Sequence, residues 1–177
     1  MSAKVGVDLI KLDQPISFDP ADQAKIKDML ARYPSDQRES AILPALWLAQ
    51  ERFGFISQDA VDLVARSLDV DAPEVAGVAT FYTMYHLEPV GRHVIQVCCT
   101  LSCSIMGAEA LVKRFEQKLG IHAGETTKDG RFTLKKVECL ASCGTAPMLQ
   151  VNEDKSLENL TEKDVDRIVD SLKLSAT

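Results

Sequence analysis

No Gly-x-Gly occurs anywhere in this 177-residue chain, and no Gly-x-x-x-x-Gly-Lys-Ser/Thr either. The first absence removes the dinucleotide-binding fingerprint, and the second removes the phosphate-cradling loop. No two cysteines have the Cys-x-x-Cys spacing that a thiol oxidoreductase needs. No apolar run approaches the length of a transmembrane helix. A signal-peptide core is missing, since Val5, Gly6 and Val7 run straight into Asp8 and Lys11, and the Arg-rich, acid-poor look of a transit peptide is missing too. Basic charge is in deficit, with 20 Lys and Arg against 26 Asp and Glu, a net charge of −6 and a pI near 5.1. That balance argues against nucleic acid or an anionic membrane surface as the main partner. These absences point to a cytosolic, reducing compartment, where clustered cysteines are more often metal ligands or redox thiols than disulfides.

What is present divides near residue 90. Residues 1–90 hold eight Lys and Arg against fourteen Asp and Glu, while residues 91–177 hold twelve of each and all five cysteines. Glu88-Pro89-Val90-Gly91 reads as the turn between the parts. The first part, 1–90, reads as a small helical bundle. Asp19 or Pro20 opens a helix through Tyr33, with Ile26, Met29 and Leu30 on one face. Ser40 to Phe53 is a second helix, closed by Gly54, with Pro44 tolerated in its first turns. Ser57 caps a third, burying Val61, Leu63, Val64 and Leu68, and Ala72 to Phe81 is a short fourth. Trp47, Phe53, Phe55, Phe81, Tyr82 and Tyr85 are expected to serve core and interface packing.

The second part, 91–177, alternates. His93 to Val97 and Phe132 to Val137 are strands, and Met148 to Val151 is another. Gly107 to Leu119 is a helix with Ala110, Leu111, Phe115 and Leu119 inward, and Thr161 caps a last helix to Leu172. Strand–helix–strand–strand–helix makes a compact α/β layer whose order suits a thioredoxin-like core. Ala146-Pro147 stands where such cores place a proline that is often cis. The fold class is therefore α/β, a helical bundle followed by a thioredoxin-like domain.

The chemistry lies in two cysteine pairs. Cys98 and Cys103 have four residues between them, and Cys139 and Cys143 have three. Each pair is expected in a loop at a strand end, Cys103 just ahead of the helix from Gly107 and Cys143 in a Ser-Cys-Gly turn. Loop cysteines leave backbone N–H groups free to hydrogen-bond the sulfurs. Four thiolates suit an iron–sulfur cluster, and a Cys-x4-Cys spacing also occurs in plant-type ferredoxins. Four cysteines also suit structural zinc, usually within short knuckles, and a redox dithiol comes third. Cys99 leaves the register open, because a Cys99–Cys103 pair would match the spacing of Cys139–Cys143. Neighbours on extended backbone point opposite ways, so one of Cys98 and Cys99 is a spare thiol. His86, His93 and His122 are scattered, whereas a Rieske centre needs two histidines beside its cysteines. Glu138, next to a cysteine, reads as solvated or supporting rather than catalytic.

The stretch Gly120 to Leu134, then Val137-Glu138-Cys139-Leu140-Ala141-Ser142-Cys143, Ala146-Pro147 and Asn152, closely resembles one family. It is the 24-kilodalton, or E, subunit of NADH:quinone oxidoreductase (respiratory complex I), a thioredoxin-like [2Fe–2S] ferredoxin. Thr80-Phe81-Tyr82 also matches, and the likeness runs over roughly residues 18–175. It implies that Cys98, Cys103, Cys139 and Cys143 bind the iron of one [2Fe–2S] cluster, which chooses Cys98 over Cys99. The family usually has another residue at Cys99 and often Pro at Ser102, and neither departure removes a ligand. The resemblance further implies docking on a larger flavoprotein that binds NADH and FMN, alongside other peripheral-arm subunits. It implies an oxidoreductase subunit on the inner, cytoplasmic face of the cell membrane, held there through the complex, with no catalytic residue of its own. NAD-linked hydrogenases and formate dehydrogenases reuse the same module and remain the alternative. A zinc-stabilised interaction module is the alternative of another class.

Overall fold

The computed structural model describes residues 8–153 and 155–174; Val5, Gly6 and Val7, weighed above as a leader core, lie outside them. The chain divides between Pro89 and Val90 into two compact units.

In the first unit each helix is bounded by local chemistry. Helix α1 (Pro20–Leu30) is capped by the Asp19 carboxylate, which accepts the Asp22 N–H at 2.9 Å, with Pro20 in the first turn. It ends at Leu30, short of the expected Tyr33. Arg32 and Tyr33 instead donate backbone hydrogen bonds three residues back, to Met29 and Leu30. Pro34 explains the difference, because proline's ring disfavours helical backbone in the residue before it. A 3₁₀ turn (Arg38–Ala41) leads into α2 (Ile42–Phe53), which carries Pro44 in its first turn and ends at Gly54 with φ of 84°. Helix α3 (Gln58–Leu68) is capped by the Ser57 hydroxyl, which accepts the Ala60 N–H at 3.1 Å. Helix α4 (Ala72–Phe81) follows, with Pro73 at its start.

The helices enclose Leu46, Ile56, Val61, Val64, Leu68 and Val75, all without solvent exposure. One buried polar side chain organises the exit from the unit. Gln50 donates to the Met84 carbonyl at 3.1 Å and accepts the His86 N–H at 2.6 Å, while Ile56 N–H donates to the His86 carbonyl at 2.7 Å. The aromatics divide between core and surface. Tyr85 is buried, donates to the Leu43 carbonyl at 2.9 Å and packs on Trp47, while Phe81 is 76% exposed and Tyr82 stands out beside it. The α4 face that buries Val75 and Ala79 turns residue 81 outward.

The second unit is built on a four-stranded mixed sheet in the order β2-β1-β3-β4. Strand β1 (His93–Cys98) runs parallel to β2 (Phe132–Val137), with Cys98 opposite Val137. Strand β3 (Leu149–Val151) is antiparallel to β1, and β4 (Lys155–Leu157), which the sequence pattern does not show, is antiparallel to β3. Parallel neighbours need a long crossover. Here it comprises a short helix α5 (Leu101–Ile105) and then α6 (Ala108–Leu119). Helix α7 (Glu162–Leu174) packs on α6, and Asp166 of α7 pairs with Arg114 and Lys118 of α6. Asp164 accepts both the backbone N–H and the hydroxyl of Thr161 at the start of α7, at 2.9 and 2.8 Å. These bonds hold the Asp164 carboxyl down at about 2.

This is the expected thioredoxin-like layer, including a cis peptide at Ala146–Pro147. Helix α6 turns Ala108, Leu111, Val112 and Phe115 inward and leaves Ala110 only half-buried, so its stripe is rotated from the expected one. Phe115 has no exposed surface, a burial that contributes roughly 1.5–3 kcal/mol. Among the described residues no helix is long and apolar enough to cross a membrane.

Two glycines test the packing with opposite signs. A Cβ on Gly91 would lie 2.7 and 2.8 Å from backbone atoms of Phe132, where β1 and β2 begin, while Gly77 inside α4 has nothing within 4 Å. Gly91→Ala should lower the urea midpoint by an equivalent of about 1–3 kcal/mol. Gly77→Ala should raise it by about 0.5–1 kcal/mol, because alanine loses less backbone freedom in a helix. Circular dichroism during urea unfolding reads both.

Candidate metal centre

The parallel pairing of β1 with β2 sets the site. Two parallel strands end on the same edge, so Cys98, the last residue of β1, lies beside the segment that follows Val137. The Cys99 N–H donates to the Val137 carbonyl at 3.0 Å and seals the two ends together. The antiparallel partner adds the third side. The Cys98 N–H donates to the Met148 carbonyl at 3.2 Å, and a 3₁₀ turn (Cys143–Thr145) leads through Pro147 into that strand and packs against α5. Cys103 therefore lies inside α5 and not in a loop ahead of a helix, as the sequence suggested, and Cys143 opens a 3₁₀ turn.

The thiols stand as two pairs of unequal burial. Cys98 and Cys103 are each 2% exposed, while Cys139 and Cys143 are exposed with sulfurs 3.6 Å apart. Among the described residues no three His, Cys, Asp or Glu side chains gather tightly enough to hold a single ion. Each pair nonetheless senses the other, since charge on Cys98 raises the pKa of both Cys139 and Cys143.

Hydrogen bonds split the acidity within each pair. Burial pushes the Cys98 thiol up, but the Thr100 hydroxyl, the N–H groups of Thr100 and Leu140, and Cys103 together bring it below the ordinary value. Burial and the hydrogen bond with Cys98 hold Cys103 above the ordinary value. The Ala141 N–H donates to the Cys139 sulfur at 3.4 Å and is the main reason that thiol is lowered. Ala141 adopts φ of 63°, a left-handed conformation that alanine rarely takes, to aim that N–H. Cys143 is raised, chiefly by its hydrogen bond and charge interaction with Cys139, while Ser102 works the other way. One sulfur in each pair thus lies below the ordinary thiol value, and metals bind cysteine as thiolate.

The remaining candidates lie apart. The Cys99 thiol donates to the Val97 carbonyl at 3.5 Å and is raised mainly by burial; Lys136 lowers it, while Glu109, Cys98 and Cys103 raise it further. His86 is buried in the first unit, His93 stacks on Phe132 at the start of β1, and His122 is at the surface beside Glu116. Glu138 is exposed.

Several residues around the thiols had no signal in the sequence. Ser142 donates its hydroxyl to Glu158 and lies 2.8 Å from the Thr145 hydroxyl, while the Asn159 N–H donates to the Thr145 carbonyl at 2.8 Å. The turn that carries Cys143 is thereby tied to residues 158–159. Leu101, Ile105 and Met106 point outward from α5 and the turn after it, at 76%, 74% and 60% exposure.

Known proteins resemble this chain over most of its length. A family model described as thioredoxin-like [2Fe–2S] ferredoxin matches residues 26–173. The E subunit of NADH-quinone oxidoreductase from Rickettsia bellii is 40% identical over 158 residues, covering 89% of this chain and 94% of that protein. The E 2 subunit of the same enzyme from Rhizobium meliloti is 44% identical over 149 residues, covering 84% of this chain and 87% of its own. Subunit 2 from Thermus thermophilus is 40% identical over 148 residues, covering 84% and 82%. Among solved structures, an NAD⁺-reducing [NiFe]-hydrogenase in the air-oxidised state aligns with a TM-score of 0.68 at 19% identity. That alignment covers 82% of this chain and 25% of the hydrogenase chain, and it shows a shared fold.

The adjacent cysteines give a direct test of the site. Cys98→Ser should lose the visible chromophore of the anaerobically purified protein or shift its bands strongly. Cys99→Ser should leave the spectrum near that of the parent. The reverse pattern would move the site to Cys99.

Proposed function

The chain belongs to the thioredoxin-like [2Fe–2S] ferredoxin family, in the branch of the NADH-quinone oxidoreductase E subunits, and we propose that it is the electron-transfer subunit of such a complex. In this reading it exchanges electrons with the FMN of an NADH-binding flavoprotein subunit. The observation that carries the reading is the meeting of two thiol pairs, 35 residues apart in sequence, at one end of a mixed sheet.

The donor set fits a [2Fe–2S] cluster. Four sulfurs are available, and two pairs suit two irons better than one tetrahedral ion. Cys98 and Cys103 would hold the cluster from the buried side, at the strand end, and Cys139 and Cys143 from the exposed side. When bound, the cluster supplies one-electron chemistry. The chain's own part is to hold it, to aim N–H and O–H groups at its sulfurs, and to leave one edge accessible to a partner. No proton transfer at a side chain is required. Hydride chemistry falls to the partner, because this sequence carries neither nucleotide-binding fingerprint.

Docking completes the function. The first unit holds none of the cysteines and exposes Phe81 and Tyr82, ring centroids 5.0 Å apart, which suit a protein interface. Tyr85 drops out of that surface, since it is buried and its hydroxyl donates to the Leu43 carbonyl. The bundle of residues 1–90 is thus read as a docking element and residues 91–177 as the cluster domain. Attachment to the inner face of the cell membrane runs through the other subunits of the complex.

Anaerobically purified protein should carry about two irons and about two sulfides per chain, bleach with dithionite and show no saturable NADH–ferricyanide activity. Equimolar zinc without iron would overturn the reading. Separately, the double variant Phe81→Ser, Tyr82→Ser should keep the visible spectrum and bind the flavoprotein subunit at least about tenfold more weakly. Undiminished binding in a titration would remove the docking role from this surface.

A further inference from the structure

Asp19 and Ser57 each spend a side-chain oxygen on a backbone N–H of the helix they open, whereas Asp71 ahead of α4 and Thr100 ahead of α5 make no side-chain cap. Thr100 has φ of −79° and ψ of 173°. Its hydroxyl lies 3.2 Å from the Cys98 sulfur. The same hydroxyl also interacts with the Cys139 thiol of the other pair. Thr100 is half-buried, and its methyl-bearing carbon sits at the junction of β1 and α5.

We infer that Thr100 is a positioning and tuning residue whose hydroxyl, instead of capping α5, donates to the Cys98 sulfur, and that it raises the reduction potential of the centre. This rests on the proposed reading that Cys98 binds iron. A thiolate bound to iron has no proton to give, so the threonine must be the donor. A hydroxyl has one proton, and the Cys98 sulfur lies 3.2 Å from it. Reduction adds negative charge that spreads onto the sulfurs. A donor therefore stabilises the reduced form more than the oxidised form, as hydrogen bonds to charged acceptors are the stronger ones. The helix loses a cap as a result, and five-residue α5 survives through its packing on α6 and the 3₁₀ turn.

The test is potentiometry on the full chain with its cluster, on the parent, Thr100→Val, Thr100→Ala and Thr100→Ser. Val keeps the shape and loses the donor, and Ser keeps the donor and loses the methyl. Val should lower the ratio of reduced to oxidised centre at fixed potential about threefold, about 28 mV at 59 mV per tenfold for one electron. Ser should restore the parent value. In resonance Raman spectra, the shift of the iron–cysteine stretching bands between H₂O and D₂O should be smaller in Val than in the parent and Ser. Where Val fails to hold iron, the Ala and Ser pair reads the same difference. A parent-like potential in Val or Ala, or a fall in Ser equal to that in Val, overturns the inference. Absence of iron from the parent itself would instead overturn the reading on which it rests.

Discussion

Parallel pairing of β1 with β2, in the register that sets Cys98 opposite Val137, is the constraint from which the thiol site follows. A crossover carries the chain from the carboxyl end of β1 back to the amino end of β2, so both carboxyl ends lie together at one end of the sheet, where ligands of such sheets gather. The crossover here contains α5, so the segment that closes the sheet also carries Cys103. The antiparallel entry of β3 on the far side of β1 then brings the Cys143 turn alongside. A slip of one residue in β1 would face Cys98 to the opposite side of the sheet and break the inner pair.

Burial and hydrogen bonding divide the work between the two edges. The inner pair is closed off from solvent and the outer pair is open, so the same four sulfurs provide an anchored side and an accessible one. Donors come mostly from backbone: Thr100, Leu140, Met148 and Ala141 each direct an N–H at a sulfur. Backbone donors are fixed by the fold, and the left-handed Ala141 shows local strain accepted to aim one of them. Glu158, Ser142 and Thr145 hold the exposed turn in place from the next strand connection.

The helical unit obeys a different logic. Its core is made by helix faces, and one buried glutamine, Gln50, satisfies the backbone of the segment that leaves it. Buried amides of this kind demand full pairing and so specify one arrangement of the exit segment. The same packing that buries Val75, Ala79 and Tyr85 leaves Phe81 and Tyr82 at the surface.

Much was legible along the chain because it depends on neighbours in sequence. Asp19, Ser57, Gly54 and Gly120 mark helix ends through caps that act within one turn, and apolar spacing marks the faces of α2, α3 and α7. The cysteine spacings and the run from Gly120 to Cys143 pointed to the family for the same reason, as contiguous pattern. Tertiary structure alone decided what depends on distant partners. It placed Cys103 inside α5 and added β4, elements of five and three residues too short to have periodicity. It rotated the α6 stripe off Ala110 toward Leu111 and Val112, and it put Phe81 outside and Tyr85 inside, which identical aromatic character cannot distinguish.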